Sequence, residues 1–172
     1  MTKIKALLTG EKIVSNTKSA FDLYSNQRFG EKIGEKIQYS LVEAFFLEEN
    51  KKLEIYQKDK KLNIKEISNI FEKIDKKFNI KYAVFCDLRK KGYIVKTALK
   101  FGAEFRVYDK GKNVGEDHAR WILFPVSENN VMTWHDFSAK NRVAHSTNKA
   151  LLIAIVDEES DVSYYEVRWT KP

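Results

Sequence analysis

Histidine is the one side chain that exchanges protons near neutral pH without help from its surroundings, so the three histidines of this 172-residue sequence come first as candidates for acid–base chemistry. A histidine alone on a strand or helix is more often structural, and two of the three sit in such places. His145 lies within Arg142-Val143-Ala144-His145-Ser146 and points along a helix towards a packed face or a cap. His135, beside Trp134, fits either role. His118 differs, because Gly115-Glu116-Asp117 puts it in a polar loop just ahead of the apolar stretch 121–126. A side chain at such a junction is exposed yet held by its scaffold. Cys86, the only cysteine, stands in Ala83-Val84-Phe85-Cys86 and reads as a buried, inert thiol. It cannot form a disulfide within the chain, and it excludes a CxxC or Cys/His zinc framework.

The elements around these residues follow from hydrophobic period and turn chemistry. Residues 4–8 and 12–14 read as strands flanking the hairpin-like turn Thr9-Gly10-Glu11. Residues 32–49 carry Ile33, Ile37, Leu41, Ala44, Phe45 and Phe46, a helical stripe, and 53–57 is a strand. Asn63 caps a further helix with Ile64, Ile67, Ile70, Phe71, Ile74 and Phe78 on one face. After a short helix over 82–91, closed by Gly92, the chain turns to strands at 93–99, 104–108, 120–126, 151–156 and 162–169. A helix over 134–148 interrupts them. The best boundary lies around Phe78 to Ala83. The expected fold class is α+β: a small N-terminal mixed α/β domain over 1–82, then an α/β nuclease-type domain with a central mixed sheet over 83–172.

Composition sets the class of partner. Hydrophobic residues make up 43% and there are 11 Phe, 8 Tyr and 3 Trp, ample for a packed core. The net charge is +7 and the pI about 9.3. Up to Ala83 there are 17 basic and 12 acidic residues, and after it 14 and 12, yet five of the six arginines lie in the second part. Lysine gives a diffuse positive field, whereas the planar guanidinium suits phosphate clamping and base stacking. Such a charge favours polyanions, and it also suits plain solubility or thermal stability.

The second half resembles the archaeal tRNA-splicing endonucleases. The resemblance begins at Asp87-Leu88-Arg89-Lys90-Lys91-Gly92-Tyr93-Ile94-Val95-Lys96 and runs through Lys100-Phe101-Gly102-Ala103-Glu104-Phe105-Arg106-Val107-Tyr108. The His118-Ala119 block, Arg142-Val143-Ala144-His145-Ser146 with Lys149, and the tail Tyr165-Glu166-Val167-Arg168-Trp169 complete it in order and spacing. The first half agrees only in size and in its mix of strands and helices. The resemblance implies a catalytic triad of Tyr108, His118 and Lys149. It also implies that Arg142 and Trp169 grip a bulged base between a guanidinium plane and an indole ring. Taken singly, Tyr108 is a strand-end aromatic and Lys149 a cation at a helix C-terminus; the joint match of spacing and flanking motif overrides both readings.

The implied reaction needs no cofactor and no metal. The RNA 2′-hydroxyl attacks the adjacent phosphate, leaving a 2′,3′-cyclic phosphate and a 5′-hydroxyl. A base takes the 2′ proton, an acid protonates the leaving oxygen and a cation stabilises the phosphorane, which the resemblance gives to Tyr108, His118 and Lys149 in turn. A phenol titrates near ~10 in water, so a base role for Tyr108 calls for a nearby cation such as Lys149. The alternative role is to position the hydroxyl.

The implied substrate is precursor tRNA cut at both intron boundaries in a bulge–helix–bulge, with rRNA precursors as a second candidate. One catalytic unit per chain and two cuts per intron mean that several chains combine, and the resemblance implies a homotetramer, a dimer of dimers. The run Asp157-Glu158-Glu159-Ser160-Asp161 reads first as a solvated hairpin turn; by the resemblance, Asp157, Glu158, Glu159 and Asp161 dock into a basic cleft of a neighbouring subunit. A non-catalytic RNA-binding or assembly subunit of the same fold is the rival reading. A metal nuclease would want clustered carboxylates, and Asp109, Glu116 and Asp117 are the only acids nearby. Residues 1–8 lack the apolar stretch of a signal peptide and no run approaches the ~18 residues that span a membrane, so the chain reads as cytoplasmic.

Overall fold

Gly10, in the left-handed region at φ +60°, reverses the chain between β1 (Ile4–Thr9) and β2 (Lys12–Ser15), as Thr9-Gly10-Glu11 leads one to expect. Residues 3–112, 114–115 and 117–171 are described by the computed structural model, in which the chain divides into two units, Met1–Asn79 and Ile80–Pro172. The first unit continues with α1 (Lys18–Gln27), β3 (Glu31–Ile33), β4 (Lys36–Tyr39) and α2 (Leu41–Glu49). It ends with β5 (Leu53–Gln57), β6 (Lys60–Lys61) and α3 (Ile64–Ile74). Its sheet has the order β3-β4-β2-β1-β5-β6, with β1 and β5 parallel and the other pairs antiparallel.

The helix expected over 32–49 is corrected here. The part up to Tyr39 is the β3–β4 hairpin, turned at Gly34 (φ +58°), and only 41–49 is helical. Ile33 and Ile37 share a helical spacing by coincidence; Ile37 is buried from a strand and Ile33 is 53% exposed. The helix starts where Ser40 adopts an extended conformation and accepts the Glu43 N–H, while the Glu43 carboxylate takes the Ser40 N–H, a capping box. That carboxylate, on a residue only 5% exposed, also accepts the Gly30 N–H at 2.9 Å, which ties the helix to the hairpin entry.

Three smaller differences remain. Helix α1 has no counterpart in the sequence reading: it is ten residues long, rich in poor helix formers, and Thr17 caps it without a side-chain bond. Phe78 does not extend α3, which stops at Asp75 in extended conformation; Phe78 instead opens α4 (Phe78–Lys90) and packs edge-on against Phe45 and Phe71. Cys86, on α4, is half-buried rather than fully enclosed.

Beyond α4 the second unit runs β7 (Ile94–Thr97), a 3-10 turn (Leu99–Phe101), β8 (Phe105–Tyr108), β9 (Trp121–Ser127), α5 (Trp134–Ser146), β10 (Ala150–Val156) and β11 (Val162–Val167). The sheet order is β11-β10-β9-β8-β7, and only β9 and β10 are parallel. Parallel neighbours need a crossover, and α5 supplies it. Ala144 is buried against Ile122, Leu151 and Ile153, with Phe137 and Val143 packed at the margin, so α5 lies on that face of the sheet. At its start, Thr133 and Asp136 form a capping box.

The end of α5 sets where Lys149 emerges. Asn148 takes the left-handed position (φ +54°); its N–H donates to the His145 carbonyl and the Lys149 N–H to that of Ala144, both at 2.9 Å. These two bonds make a Schellman motif, which stops the helix and delivers the chain into β10.

Candidate active site

Tyr108 and Lys149 are remote in sequence, and backbone pairing brings them to one end of the second sheet; His118 takes part in none of these pairings and is not on the wall of the cleft found there. Val107 stands opposite Trp121, and Trp121 stands beside Ala150. One residue further out, the Arg120 N–H donates to the Val107 carbonyl at 2.9 Å and the Ala150 N–H to the Arg120 carbonyl at 3.2 Å. Tyr108, Arg120 and Lys149 therefore form a row across three strands, spaced by roughly 5 Å per strand. His118 sits two residues ahead of Arg120 in the loop entering β9, exposed as the sequence leads one to expect.

A cleft of about 390 Å³ opens at this end, lined by Ala119, Arg120, Asn141, His145, Asn148, Lys149, Ala150, Arg168 and Trp169. Lys149 and Trp169 are thus brought together. Tyr108 is not on the cleft wall: it is 3% exposed and packs with Ile94 and Ala119. Ala119 belongs both to that cluster and to the lining, so Tyr108 packs against a residue of the cleft wall. Arg142 is exposed on α5 and also off the lining, which its neighbours Asn141 and His145 share.

Trp169 lies beyond the end of β11 and is 56% exposed, so it is not a core aromatic of the last strand. The ring against it is that of His145, with centroids 4.8 Å apart. His145 is exposed, not packed or capping, and His135 is exposed as well. Sequence reasoning missed His145 as a cleft residue; its place between Arg142 and Lys149 was the available signal.

Cations dominate the electrostatics. The Lys149 ammonium donates to the Thr147 carbonyl at 2.7 Å, so it also serves the helix end. Burial, and then the positive charge of Arg106, hold its pKa below that of an ordinary lysine. On the rim the Glu166 carboxylate accepts the Trp121 indole N–H at 2.7 Å and pairs with Arg168 and Arg120. The indole bond and the Arg168 contact keep its carboxyl below the usual range.

Of the acids considered for a metal, Asp109 pairs with Arg120 and Asp117 with Lys112, and Glu116 lies outside the described residues. Among the described residues no three His, Cys, Asp or Glu side chains gather as ligands for a metal ion. The acidic run forms the β10–β11 turn, in which the Asp157 carboxylate accepts the Asp161 N–H at 2.8 Å. It stands at the opposite end of β10 from Lys149.

Both halves match known families. Residues 78–164 match the tRNA intron endonuclease catalytic C-terminal domain, and residues 4–68 match the tRNA intron endonuclease N-terminal domain. The chain is 41% identical over 165 residues to the tRNA-splicing endonuclease of Thermococcus kodakarensis, covering 95% of this chain and 96% of that protein. It is 40% identical over 169 residues to that of Pyrococcus horikoshii, covering 98% and 97%. The likeness to the tRNA-splicing endonuclease of Nanoarchaeum equitans is 44% over 138 residues, covering 77% and 88%.

The lysine environment makes a prediction that needs no assay of activity. Followed by NMR of its side chain, Lys149 titrates at lower pH than the exposed lysines, and Arg106→Gln moves its midpoint part of the way back up. Burial, the larger cause, remains in that variant, so the return is incomplete. A midpoint that Arg106→Gln leaves unmoved contradicts the assigned electrostatic coupling.

Proposed function

The chain belongs to the tRNA intron endonuclease family, with both of its domains in order, and from that premise we propose that it cuts precursor tRNA at both intron boundaries by metal-independent attack of the 2′-hydroxyl. We take residues 1–82 as the N-terminal domain and 83–172 as the catalytic one; the division of the two units at Asn79 supports this. What supports the mechanism is that Tyr108 and Lys149 share one row at one end of the sheet, with His118 in the loop two residues ahead of Arg120.

In this reading Lys149 holds a phosphate oxygen. Its short tether beyond the Schellman motif and its partial burial let it act as a fixed charge that gains most as the phosphorane forms. His118, exposed on its loop, protonates the leaving 5′ oxygen. Tyr108 takes the 2′ proton or orients the hydroxyl; it is largely buried and packs against Ala119, which also lines the cleft. Arg142 and Trp169 grip a base of the bulge in a bulge–helix–bulge. The exposed Trp169 face supports that role, and His145 must swing off the indole for the base to enter. Precursors of rRNA that present the same bulges are substrates by the same chemistry.

One catalytic domain per chain makes one cut, so a homotetramer, a dimer of dimers, supplies the paired sites. The acidic turn is a full β10 strand from its own Lys149, seven residues or roughly 23 Å, so it serves another subunit. We place the protein in the cytoplasm; it has one cysteine and, among the described residues, no helix long and apolar enough to cross a membrane.

In cleavage assays on bulged precursor RNA, His118→Ala lowers the rate at least about a hundredfold with little change in binding, and excess EDTA leaves the parent rate unchanged. Trp169→Ala costs roughly 5–150-fold in kcat/KM on bulged RNA, the equivalent of one lost stacking contact, with no more than a small change in Tm. Undiminished cleavage by His118→Ala removes it from the mechanism, and RNA binding without cleavage by the parent points instead to a non-catalytic subunit.

Replacing Asp157, Glu158, Glu159 and Asp161 together with Ser loosens the oligomer in sedimentation, and more so at high salt, because screening weakens what charge pairing remains. An assembly unchanged at every salt concentration leaves the turn merely solvated.

A further inference from the structure

Arg120 is held in an unusual way for a surface arginine. Its backbone is fixed on both sides, the N–H to Val107 and the carbonyl to Ala150, so its Cα cannot drift from the row that it shares with Tyr108 and Lys149. The guanidinium carbon lies over the Trp121 ring, 4.2 Å from its centre, a cation–π contact. Its ion pairs are long, 3.5 Å to Asp109 and 3.8 Å to Glu166, and the side chain is 48% exposed on the cleft. Five N–H donors project from the edge of a guanidinium, and pairs of this length leave most of them unspent.

Glu166 holds the arrangement from the last strand. Its carboxylate accepts the Trp121 indole N–H and pairs with both Arg168 and Arg120, so it orients the indole platform and the guanidinium resting on it. Trp121 itself is braced by the edge of Tyr93. Beside an indole, exposed on the cleft and with long ion pairs, Arg120 has donors to offer phosphate oxygens two at a time.

We propose that Arg120 is a second phosphate-binding residue of the cleft and that Glu166 is its positioning residue. Resting on the reading in which Lys149 takes the scissile phosphate, the group bound by Arg120 is the phosphodiester next to it along the RNA strand.

The test measures binding of a bulged RNA made uncleavable by a 2′-deoxy nucleotide at the scissile position, as a function of salt. Arg120→Gln weakens binding roughly tenfold at moderate salt and lowers the slope of log K against log salt by about 0.7–0.9, the signature of one lost phosphate contact. Arg120→Lys keeps the slope and recovers only part of the affinity, because an ammonium keeps the charge without the fork. Glu166→Gln keeps the slope and loses a few-fold in affinity. Parent affinity and slope in Arg120→Gln overturn the proposal, as does a loss of Tm in that variant with its slope unchanged, which marks a structural role only. His118→Ala, run alongside, separates the two readings: it keeps the parent slope, and if it cleaves normal substrate undiminished the triad fails while the Arg120 result stands on its own.

Discussion

The parallel pairing of β9 with β10 is the constraint on which the site depends. It fixes Trp121 beside Ala150, and through the two bonds of Arg120 it carries the row out to Tyr108 on one side and Lys149 on the other. A slip of one residue in that register would turn every side chain of β10 to the other face and take Lys149 off the cleft. The register is secured from within: Leu151 and Ile153 are buried under α5, while Leu152 and Ala154 are buried on the opposite face.

Helix α5 is both the crossover that permits the parallel pair and one wall of the cleft. Its core face, through Ala144 and Phe137, sets its distance from the sheet, and its Schellman end decides where Lys149 emerges. Because Lys149 donates to the Thr147 carbonyl, the proposed phosphate-binding cation is also part of the helix terminus. An incoming phosphate competes for that ammonium with a neutral carbonyl, which is a weak rival. The positive charge of Arg106 raises the local field that an anion meets.

Much of this was legible in the sequence. The strands of the second half showed their β-branched and aromatic runs, Asn63 announced α3, and the motifs around Tyr108, His118 and Lys149 pointed to one family. The hairpin at 31–39 was not legible, because Ile33 and Ile37 imitate a helical stripe and only Gly34 and Ser40 mark the breaks. Helix α1 gave too weak a signal. The supporting cast of the cleft was hidden for a different reason. Glu166 meets Trp121 across 45 residues, and His145 meets Trp169 only once the tail has turned past β11; neither pairing leaves a local pattern.

The central claim is that the RNA's own 2′-hydroxyl is the nucleophile, with side chains alone moving the protons. End-group analysis of bulged RNA cut by the purified protein tests this most directly. The expected ends are a 2′,3′-cyclic phosphate on one fragment and a 5′-hydroxyl on the other, because the attacking oxygen comes from the ribose and the leaving oxygen takes a proton. A 3′-hydroxyl with a 5′-phosphate would contradict it, since those ends arise when water attacks, as in metal-assisted hydrolysis.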